Sequence, residues 1–504
     1  MTSIDLTEYR NRVQGCFAGK CAGGTLGAPF ECQRGVFDVS FYSQELGGVP
    51  LPNDDLDLQL VWLNAVERFG RQVDARIMGE YWLSYVTPSW SEYGAGKNNL
   101  RMGLEPPFSG SVSNDNRNSC GAFIRSEIWA CLAPGHPELA VAYAYQDAIV
   151  DHAEEGVYAE IFTAAMESAA FVEHDVETLL DIGLSYIPPE CAVARAVESV
   201  RRCRREGASW QETRRRILIG FPTHFGMMAG YLDRQPEPDI PDGPIGYDAP
   251  ANIGLTVLAL LYGEGDFGRT ICLAASCGED ADCTAATAGA LLGILAGIDG
   301  LPARWLDPIG DQIVTLCINR GDHDCTVPET VSELTDRICR AALPFLGPER
   351  IVYPGGMATP PVITAPDPSC LACPAGMALA CRPYALTREF PLFRLTVDWH
   401  QPPLLRPGRT YTVDVEVENR MLCQQWLRFS WLGADGFDIS PAGESLCSLE
   451  QYHGNVGKAH IRFTLRAPET LERDKRELVL AVRANGRHSQ YFIPFVLLHT
   501  GEEE

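Results

Sequence analysis

The chain has no excess of positive charge. Its 504 residues include 41 Lys and Arg against 66 Asp and Glu, which gives a formal net charge of −25. Proteins that wrap nucleic acid or bind anionic membrane surfaces need a basic face. We therefore expect no nucleic-acid wrapping and no membrane binding. Hydrophobic residues at 46% and charged residues at 21% are close to globular averages, so a packed core is expected.

Long hydrophobic runs are also missing. The longest lies between Ala285 and Ile298, which is shorter than the roughly 20 residues that cross a bilayer. The first five residues lack the basic and then apolar pattern of a secretory signal. The 18 cysteines form a small share of a long chain, which favours reduced thiols over a disulfide framework. Together these features predict a cytoplasmic protein.

Helical periodicity dominates the first two thirds of the sequence. Apolar or small residues recur every three to four positions in segments such as Glu138–Val150, Val157–Val172 and Cys191–Arg205. Alternating strand patterns are scarce up to about residue 346. This pattern predicts one large all-α domain, although it exceeds the usual size for a single core.

The period changes to two after Phe393. Apolar residues alternate with polar ones from Phe393 to Trp399 and again from Tyr411 to Glu418, and Asn485-Gly486 separates two strand-like runs as in a hairpin. This pattern predicts a small antiparallel β-sandwich. The predicted fold class is therefore an all-α bundle followed by a small all-β sandwich domain.

Proline and glycine are concentrated between the two patterns, which predicts a linker or an extended surface arm. We predict an all-α catalytic domain at 1–350, a linker at 351–389 and a β-sandwich accessory domain at 390–504. Cys370, Cys373 and Cys381 fall in the linker, but no fourth Cys or His follows at a zinc-ribbon spacing. A zinc site is therefore disfavoured there.

Two acidic clusters precede helical patterns. The first is Asn53-Asp54-Asp55-Leu56-Asp57, and the second is Gly278-Glu279-Asp280-Ala281-Asp282-Cys283-Thr284. One interpretation is helix capping, because Asn and Asp are favoured at helix N-termini. The other is a metal site, because neither cluster contains a Lys or Arg and carboxylate oxygens bind hard divalent cations such as Mg²⁺ or Mn²⁺.

The helix predicted after the second cluster has an almost bare face. Ala286, Gly289, Ala290 and Gly293 allow a neighbouring helix to approach closely. We therefore expect the end that carries Asp280 and Asp282 to be buried within the bundle. Buried carboxylates without a cation are costly, which favours the metal interpretation.

Several of these segments match one known family. The glycine-rich opening Gly15–Glu31, the Asn53–Asp55 motif and the segment Asp280–Gly293 resemble, in this order, the motifs of the ADP-ribosylglycohydrolase family. The stretch Gly121–Arg125 is similar to the family's Gly/Met-Arg segment. His152, ahead of a predicted helix, is similar to a family histidine. The resemblance covers about residues 8 to 346 and leaves out the β-rich end.

The resemblance implies an all-α bundle with a dinuclear Mg²⁺ or Mn²⁺ centre in a cleft. The residues that fall on the family's two metal motifs are Asn53, Asp54, Asp55, Asp280, Asp282 and Cys283. Two of them depart from the family pattern, since the motifs have Thr where this chain has Asn53 and Thr or Ser where it has Cys283. An amide oxygen can still bind a cation, whereas a thiol is a poor ligand for a hard one. The thiol either faces the metal and softens the site, or packs behind it as a small hydrophobe, which we favour because a thiolate would add negative charge.

The resemblance also assigns roles in hydrolysis of a ribosyl bond. Glu31 is the candidate acid/base residue, or a mobile glutamate linked to the metal. Asp55 and Asp282 are candidates for activating water. His152 either contacts the substrate or packs behind a ligand. Arg125 and Gly121 are candidates for substrate binding.

The segment from Trp90 to Asn114 combines aromatic and amide side chains with Gly and Pro. Tyr93, Asn98 and Asn99 could stack a base and bind a sugar or phosphate. A structural lid is an equally good interpretation.

Three functions are consistent with these observations. The first is a metal-dependent glycohydrolase that cleaves an N- or O-linked ADP-ribosyl bond, with a small-molecule or ADP-ribosylated substrate. The second is a hydrolase of the same fold that acts on a different glycoside or nucleoside-like substrate. The third is a non-catalytic binding or structural member of the family. The presence of all four central aspartates argues against the third. The sequence does not indicate the oligomeric state.

Overall fold

The computed structural model divides the chain into two compact units. It describes residues 2–224, 226–227, 237, 239–241, 244–321, 325–356, 359–372, 382–450 and 457–499. The first unit, here called the helical unit, comprises Met1–Gly94 and Asp115–Cys381. The second, the sandwich unit, comprises Ala95–Asn114 and Arg382–Glu504. Cys373 and Cys381 of the predicted linker lie outside the described residues.

Sixteen α-helices occur in the described residues. The first eight are α1 Leu6–Gly27, α2 Asp54–Phe69, α3 Ala75–Tyr85, α4 Ser91–Met102, α5 Phe108–Ser111, α6 Glu127–Leu132, α7 Pro137–Ala148 and α8 Glu154–Ala169. The remainder are α9 Val176–Ser185, α10 Ala192–Arg205, α11 Trp210–Gly220, α12 Ala249–Gly263, α13 Phe267–Ser276, α14 Ala281–Ala296, α15 Ala303–Leu306 and α16 Val331–Leu346. All except α5 lie wholly or partly in the helical unit.

Short strands accompany these helices. They are β1 Thr2–Asp5, β2 Gln33–Arg34, β3 Gly226–Met227, β4 Ile245–Gly246, β5 Gly278–Glu279, β6 Ile351–Val352 and β7 Val362–Ala365. Part of the predicted linker returns to the N-terminus, because β7 pairs with β1 on one side and with β6 on the other. The pairing of β2 with β5 places Gln33 opposite Glu279. It therefore joins the end of the glycine-rich opening to the second acidic cluster.

The described residues of the sandwich unit form nine strands in two antiparallel sheets. The strands are β8 Ala385–Glu389, β9 Phe393–Asp398, β10 Thr410–Asn419, β11 Gln425–Leu432, β12 Asp438–Ser440, β13 Ser445–Leu449, β14 Lys458–Arg466, β15 Lys475–Ala484 and β16 Gln490–Leu498. One sheet has the order β12-β14-β10-β9-β8 and the other β13-β11-β15-β16. The predicted fold class, a helical bundle followed by a β-sandwich, is confirmed.

The sandwich core also receives residues from the first half of the chain. Leu104, Phe108 and Val112 are at most 3% exposed and belong to the same apolar cluster as Trp399 and Phe495. Residues 95–114 therefore fold as part of the sandwich, although nearly 270 residues separate them from its first strand.

A glycine-lined contact between α1 and α14 forms the centre of the helical unit. Gly15, Gly19, Gly23 and Gly27 face, in turn, Gly293, Gly289, Ala285 and Ala281 of the antiparallel helix. A Cβ atom at Gly23 would lie 2.0 Å from the carbonyl oxygen of Ala285, which no L side chain can tolerate without a backbone shift. The bare face expected on α14 therefore has a matching partner on α1.

We expect Gly23→Ala to lower the free energy of unfolding by about 3 kcal/mol, because overpacking against backbone has no flexible neighbour to relieve it. Gly220→Ala is the matched control, since Gly220 also lies in a helix but has no heavy atom within 4 Å of an added Cβ. The free energy of unfolding of the Gly220→Ala variant should be unchanged or raised by at most about 1 kcal/mol. Urea denaturation followed by helical circular dichroism measures both, and equal midpoints for the two variants would contradict the close contact.

Among the described residues, no helix is both long enough and apolar enough to cross a membrane. The cysteines in that same part of the chain are free thiols, and most of them are buried.

Candidate metal centre and active site

The first acidic cluster begins helix α2. Asn53 is the N-cap, and its Oδ1 accepts a hydrogen bond from the Asp55 amide at 2.8 Å. Asp57 accepts hydrogen bonds from the amides of Leu316 and Cys317, both at 2.6 Å, and so holds a neighbouring loop. Capping therefore accounts for Asn53, and loop binding accounts for Oδ2 of Asp57. They leave Asp54 and Asp55 available for another role.

The second acidic cluster begins helix α14. Asp280 occupies the N-cap position, but its side chain makes no capping hydrogen bond. Asp282 follows in the first turn. Because β2 pairs with β5, Glu31 lies beside this helix start, and carboxylate oxygens of Glu31, Asp280 and Asp282 lie within 4.8 Å of one another. Carboxylates from the glycine-rich opening and from α14 thus form one group.

Besides Oδ1 of Asp57, three buried carboxylate oxygens of the two acidic clusters have no hydrogen-bond partner among the described residues. They are Oδ2 of Asp55, Oδ1 of Asp280 and Oδ1 of Asp282. The three side chains are 1%, 1% and 7% exposed, so bulk water does not compensate them. A buried anionic oxygen without a partner is strongly unfavourable. The donor set therefore fits a divalent cation, which prefers such oxygen ligands.

One positive side chain reaches the cluster from helix α1. Lys20 is 2% exposed; its Nζ donates to Glu127 at 2.9 Å and lies 3.9 Å from Asp55 Oδ2. Burial alone would lower the pKa of Lys20, but Glu127 and Asp55 raise it above its ordinary value, so the ammonium stays charged. This single ammonium, shared with Glu127, cannot balance the negative charge of the five carboxylates of the group. They belong to Glu31, Asp54, Asp55, Asp280 and Asp282. Lys20 was not predicted from the sequence.

Burial and mutual repulsion disfavour ionisation throughout the cluster. Burial is the main cause that raises the pKa of Asp55 and Asp282 well above its usual range, and neighbouring carboxylates add to it. The pKa of Glu31 is raised to about 7 by burial and then by Asp280 and Asp54. Metal ligands bind in their deprotonated form, so a cation would favour ionisation of these groups. A bound cation would therefore change the charge of this cluster.

Two thiols face the carboxylates. The Sγ of Cys283 lies 3.4 Å from Oδ1 of Asp55, and the Sγ of Cys120 donates to Oδ2 of Asp280 at 2.6 Å. Asn53 instead directs its Nδ2 at Oδ2 of Asp282, at 3.3 Å, while its oxygen caps the helix. Cys283 thus lies on the side of α14 that faces the carboxylates. Cys120 was not predicted from the sequence.

Glu31 has its own support. Tyr247 donates to Oε1 of Glu31 at 3.2 Å, and its hydroxyl also contacts the Sγ of Cys32. Behind them, the guanidinium of Arg34 forms a buried ion pair with Glu279 at 2.6 Å. These contacts fix the β2–β5 pair and hold the carboxyl of Glu31 at the edge of the acidic group.

The predicted residues around Gly121 form a buried polar network. Arg125 is fully buried; it donates to Asp147 at 2.9 Å, to Asp151 at 2.6 Å and to the carbonyl of Gly121 at 2.6 Å. His152 is also fully buried, with its Nε2 2.7 Å from the Ser119 hydroxyl. Burial is the main cause that lowers the pKa of His152, which favours the neutral ring. Substrate contact by these residues stays a prediction.

The predicted substrate residues of the Trp90–Asn114 segment divide between the units. Tyr93 belongs to the helical unit, is 3% exposed and donates to Oδ2 of Asp54 at 3.0 Å. Asn99 belongs to the sandwich unit, where its amide donates to the carbonyls of Ser109 and Val112. Asn98 is exposed in that same unit. Tyr93 thus meets the acidic group, and the role of the two asparagines stays a prediction.

A small cavity of about 20 Å³ adjoins the acidic group. Its lining includes Lys20, Asn53 and Asp55. A cavity of this size holds about one water molecule beside the first acidic cluster.

Comparisons with known proteins identify one family. A family model described as ADP-ribosylglycohydrolase matches residues 5–341. No match was found among curated proteins. Among solved structures, the crystal structure of a FixG-related protein from Vibrio parahaemolyticus is 14% identical, with a TM-score of 0.18. That likeness covers 22% of this chain and 99% of the other chain.

Proposed function

The chain belongs to the ADP-ribosylglycohydrolase family, and we propose that it is a metal-dependent hydrolase that cleaves an N- or O-linked ADP-ribosyl bond. The observation that supports this proposal best is the set of unpartnered buried oxygens on Asp55, Asp280 and Asp282. They come from the starts of two helices and adjoin a partly exposed glutamate. The substrate would be a small ADP-ribose conjugate or an ADP-ribosylated protein.

Asp54, Asp55, Asp280 and Asp282 would hold one or two divalent cations, Mg²⁺ or Mn²⁺. A bound cation would orient the ribose hydroxyls and lower the pKa of water. Lys20 fixes Glu127 and approaches Asp55, which lowers the repulsion within the acidic group. Tyr93 donates to Asp54 and so orients this carboxylate. Asp55 and Asp282 would accept a proton from water.

Glu31 is the proposed acid/base residue. Hydrolysis adds a water oxygen to the anomeric carbon of the ribose and returns a proton to the leaving acceptor. A carboxyl whose pKa is about 7 can give or accept that proton near neutral pH. The hydroxyl of Tyr247 holds Oε1, which leaves Oε2 of Glu31 available for the proton transfer.

Replacing Glu31 by Gln should lower kcat about a hundredfold, because general acid/base catalysis contributes at least that factor. In a plot of kcat against pH, the change that reports ionisation of the Glu31 carboxyl should disappear. Glu45→Gln is the matched control, since Glu45 is an exposed glutamate of the loop that follows β2. If Glu31→Gln keeps the wild-type rate and pH profile, Glu31 is not the acid/base residue.

A substrate panel tests the proposed function. Full-length protein is stripped of metal, refilled with Mg²⁺ or Mn²⁺, and offered ADP-ribosyl-arginine, ADP-ribosyl-serine, ADP-ribosylated thymidine or guanosine, simple ribosides and aryl glycosides. The proposal predicts release of ADP-ribose from at least one ADP-ribosyl compound, only in the presence of metal. Cleavage without metal would contradict the metal dependence.

A second function is a hydrolase for another glycoside or nucleoside-like compound. It is favoured by Asn53 and Cys283, since neither offers the hydroxyl that both metal motifs of the family carry at these positions. Cleavage of simple ribosides or aryl glycosides, with all ADP-ribosyl compounds left intact, would support it. A failure on every compound by a metal-loaded protein would support the third alternative, a non-catalytic binding or structural member.

A further inference from the structure

Two cysteines from distant parts of the chain meet at the second acidic cluster. Cys120 lies ahead of the short helical turn Phe123–Arg125, and Cys283 lies in the first turn of α14. They are 5% and 7% exposed. We call Cys120 and Cys283 the thiol pair. Neither side chain packs only against apolar neighbours, because each sulfur contacts a carboxylate of the candidate metal centre.

The thiol pair forms a compact donor group with Asp280. One potential ligand atom from each of Cys120, Asp280 and Cys283 lies within 4.8 Å of the other two. The same holds for Asp55, Asp282 and Cys283. Cys283 therefore takes part in both groups. A single cation between them would be within reach of sulfur and oxygen atoms together.

A second observation, besides the positions of the sulfur atoms, indicates a ligand at this place. Oδ1 of Asp280 and Oδ1 of Asp282 are buried and have no hydrogen-bond partner among the described residues. The Oδ2 of Asp280 accepts from Cys120, so the free oxygen belongs to the same carboxylate that the thiol orients. Thiol hydrogen bonding alone thus leaves this carboxylate half satisfied.

We propose that Cys120 and Cys283 bind one of the cations as thiolates, so that the centre has a position for a borderline divalent ion such as Zn²⁺ or Co²⁺. Each thiol loses its proton to solvent as its sulfur–metal bond forms, with no change in oxidation state. Sulfur ligands select such ions, whereas Mg²⁺ prefers oxygen ligands only. The added negative charge is offset by the cation, which also keeps a coordinated thiol ionised.

This inference takes from the proposed function only that the acidic group binds metal. It departs from that proposal in the class of ion, and it names a ligand, Cys120, that the family motifs do not supply. It also chooses the first of the two alternatives for Cys283, because the sulfur lies 3.4 Å from a carboxylate oxygen of Asp55.

Cobalt absorption tests the thiol pair without any turnover. Metal-free, full-length protein is kept reduced under anaerobic conditions and titrated with Co²⁺. We expect a thiolate-to-cobalt charge-transfer band in the near ultraviolet that saturates with bound metal. Cys120→Ser and Cys283→Ser should each weaken the band and lower Zn²⁺ affinity at least tenfold, and the double variant should lose the band.

Cys277→Ser is the matched control. Cys277 is a fully buried thiol just ahead of β5, outside both donor groups, and its replacement should leave the band and Zn²⁺ affinity unchanged. Mn²⁺ binding followed by paramagnetic resonance should persist in the double variant, which shows that it is folded. A wild-type protein that binds Co²⁺ without the band, or serine variants that keep it, would overturn the inference.

Different results would contradict the proposed function and the proposed thiol ligands. If the protein shows the cobalt band but cleaves no glycoside, the thiol ligands are supported and the proposed function is wrong. If the protein hydrolyses ADP-ribosyl compounds with Mg²⁺ or Mn²⁺ but never shows the cobalt band, the proposed function is supported and the thiol ligands are wrong.

Discussion

Replacing Asp280 by Asn should lower kcat/KM about a thousandfold, which corresponds to about 4 kcal/mol of transition-state stabilisation. Asp280, like Asp282, belongs to two of the three possible ligand groups among the described residues. It is also 1% exposed, with one oxygen that lacks a hydrogen-bond partner. Asn keeps the shape of the side chain but removes the negative charge that would hold the proposed cation. Titration calorimetry with Mn²⁺ and the hydrolysis assay measure both consequences.

Asp57→Asn separates the site from a general effect of buried carboxylates. Asp57 lies on the same helix as Asp55 and is fully buried, but its Oδ2 accepts from two loop amides and it belongs to none of the possible ligand groups. This variant should lose some stability and keep both metal binding and turnover. Equal losses of metal in the Asp57 and Asp280 variants would contradict the assignment of the centre.

A chain that ends at Cys381 should fail to remain soluble. Removal of residues 382–504 takes away the apolar cluster in which Leu104, Phe108 and Val112 are buried. Each of these side chains contributes roughly 1.5 to 3 kcal/mol by its burial. Residues 95–114 also lose the ion pair between Glu105 and Arg388. Expression, followed by light scattering of the purified chain, measures the outcome.

The same truncated chain with Leu104, Phe108 and Val112 replaced by Ser is the matched control. It removes the exposed apolar side chains and should recover solubility. A soluble, monomeric chain that ends at Cys381 and unfolds as cooperatively as the full protein would instead support a sandwich that is a separable accessory domain. The predicted domain boundaries at 350 and 390 would then gain support.

The sequence predicted those features that depend on local periodicity. Helices with small-residue faces and strands with a period of two both follow from spacing along the chain, and the glycines of α1 and α14 already indicated a close contact. The acidic clusters were placed at helix starts, where α2 and α14 begin. What the sequence could not decide was capping against metal binding, because both use the same residue types.

Long-range contacts account for what was missed. Lys20 meets Glu127, which is 107 positions away, and Cys120 meets Asp280 across 160 positions. A lysine inside a helical pattern and a cysteine among 18 carry no local signal of such partners. The same holds for residues 95–114, whose apolar side chains pack with strands that begin about 270 positions after residue 114.

Anomalous diffraction from crystals grown with Mn²⁺ tests the central claim most directly. The account predicts at least one anomalous peak between the starts of α2 and α14, within coordination distance of oxygens from both acidic clusters. The unpartnered oxygens of Asp55, Asp280 and Asp282 should be among the ligands. A structure of catalytically active protein with no peak there, and with these three carboxyls hydrogen-bonded to one another, would contradict it.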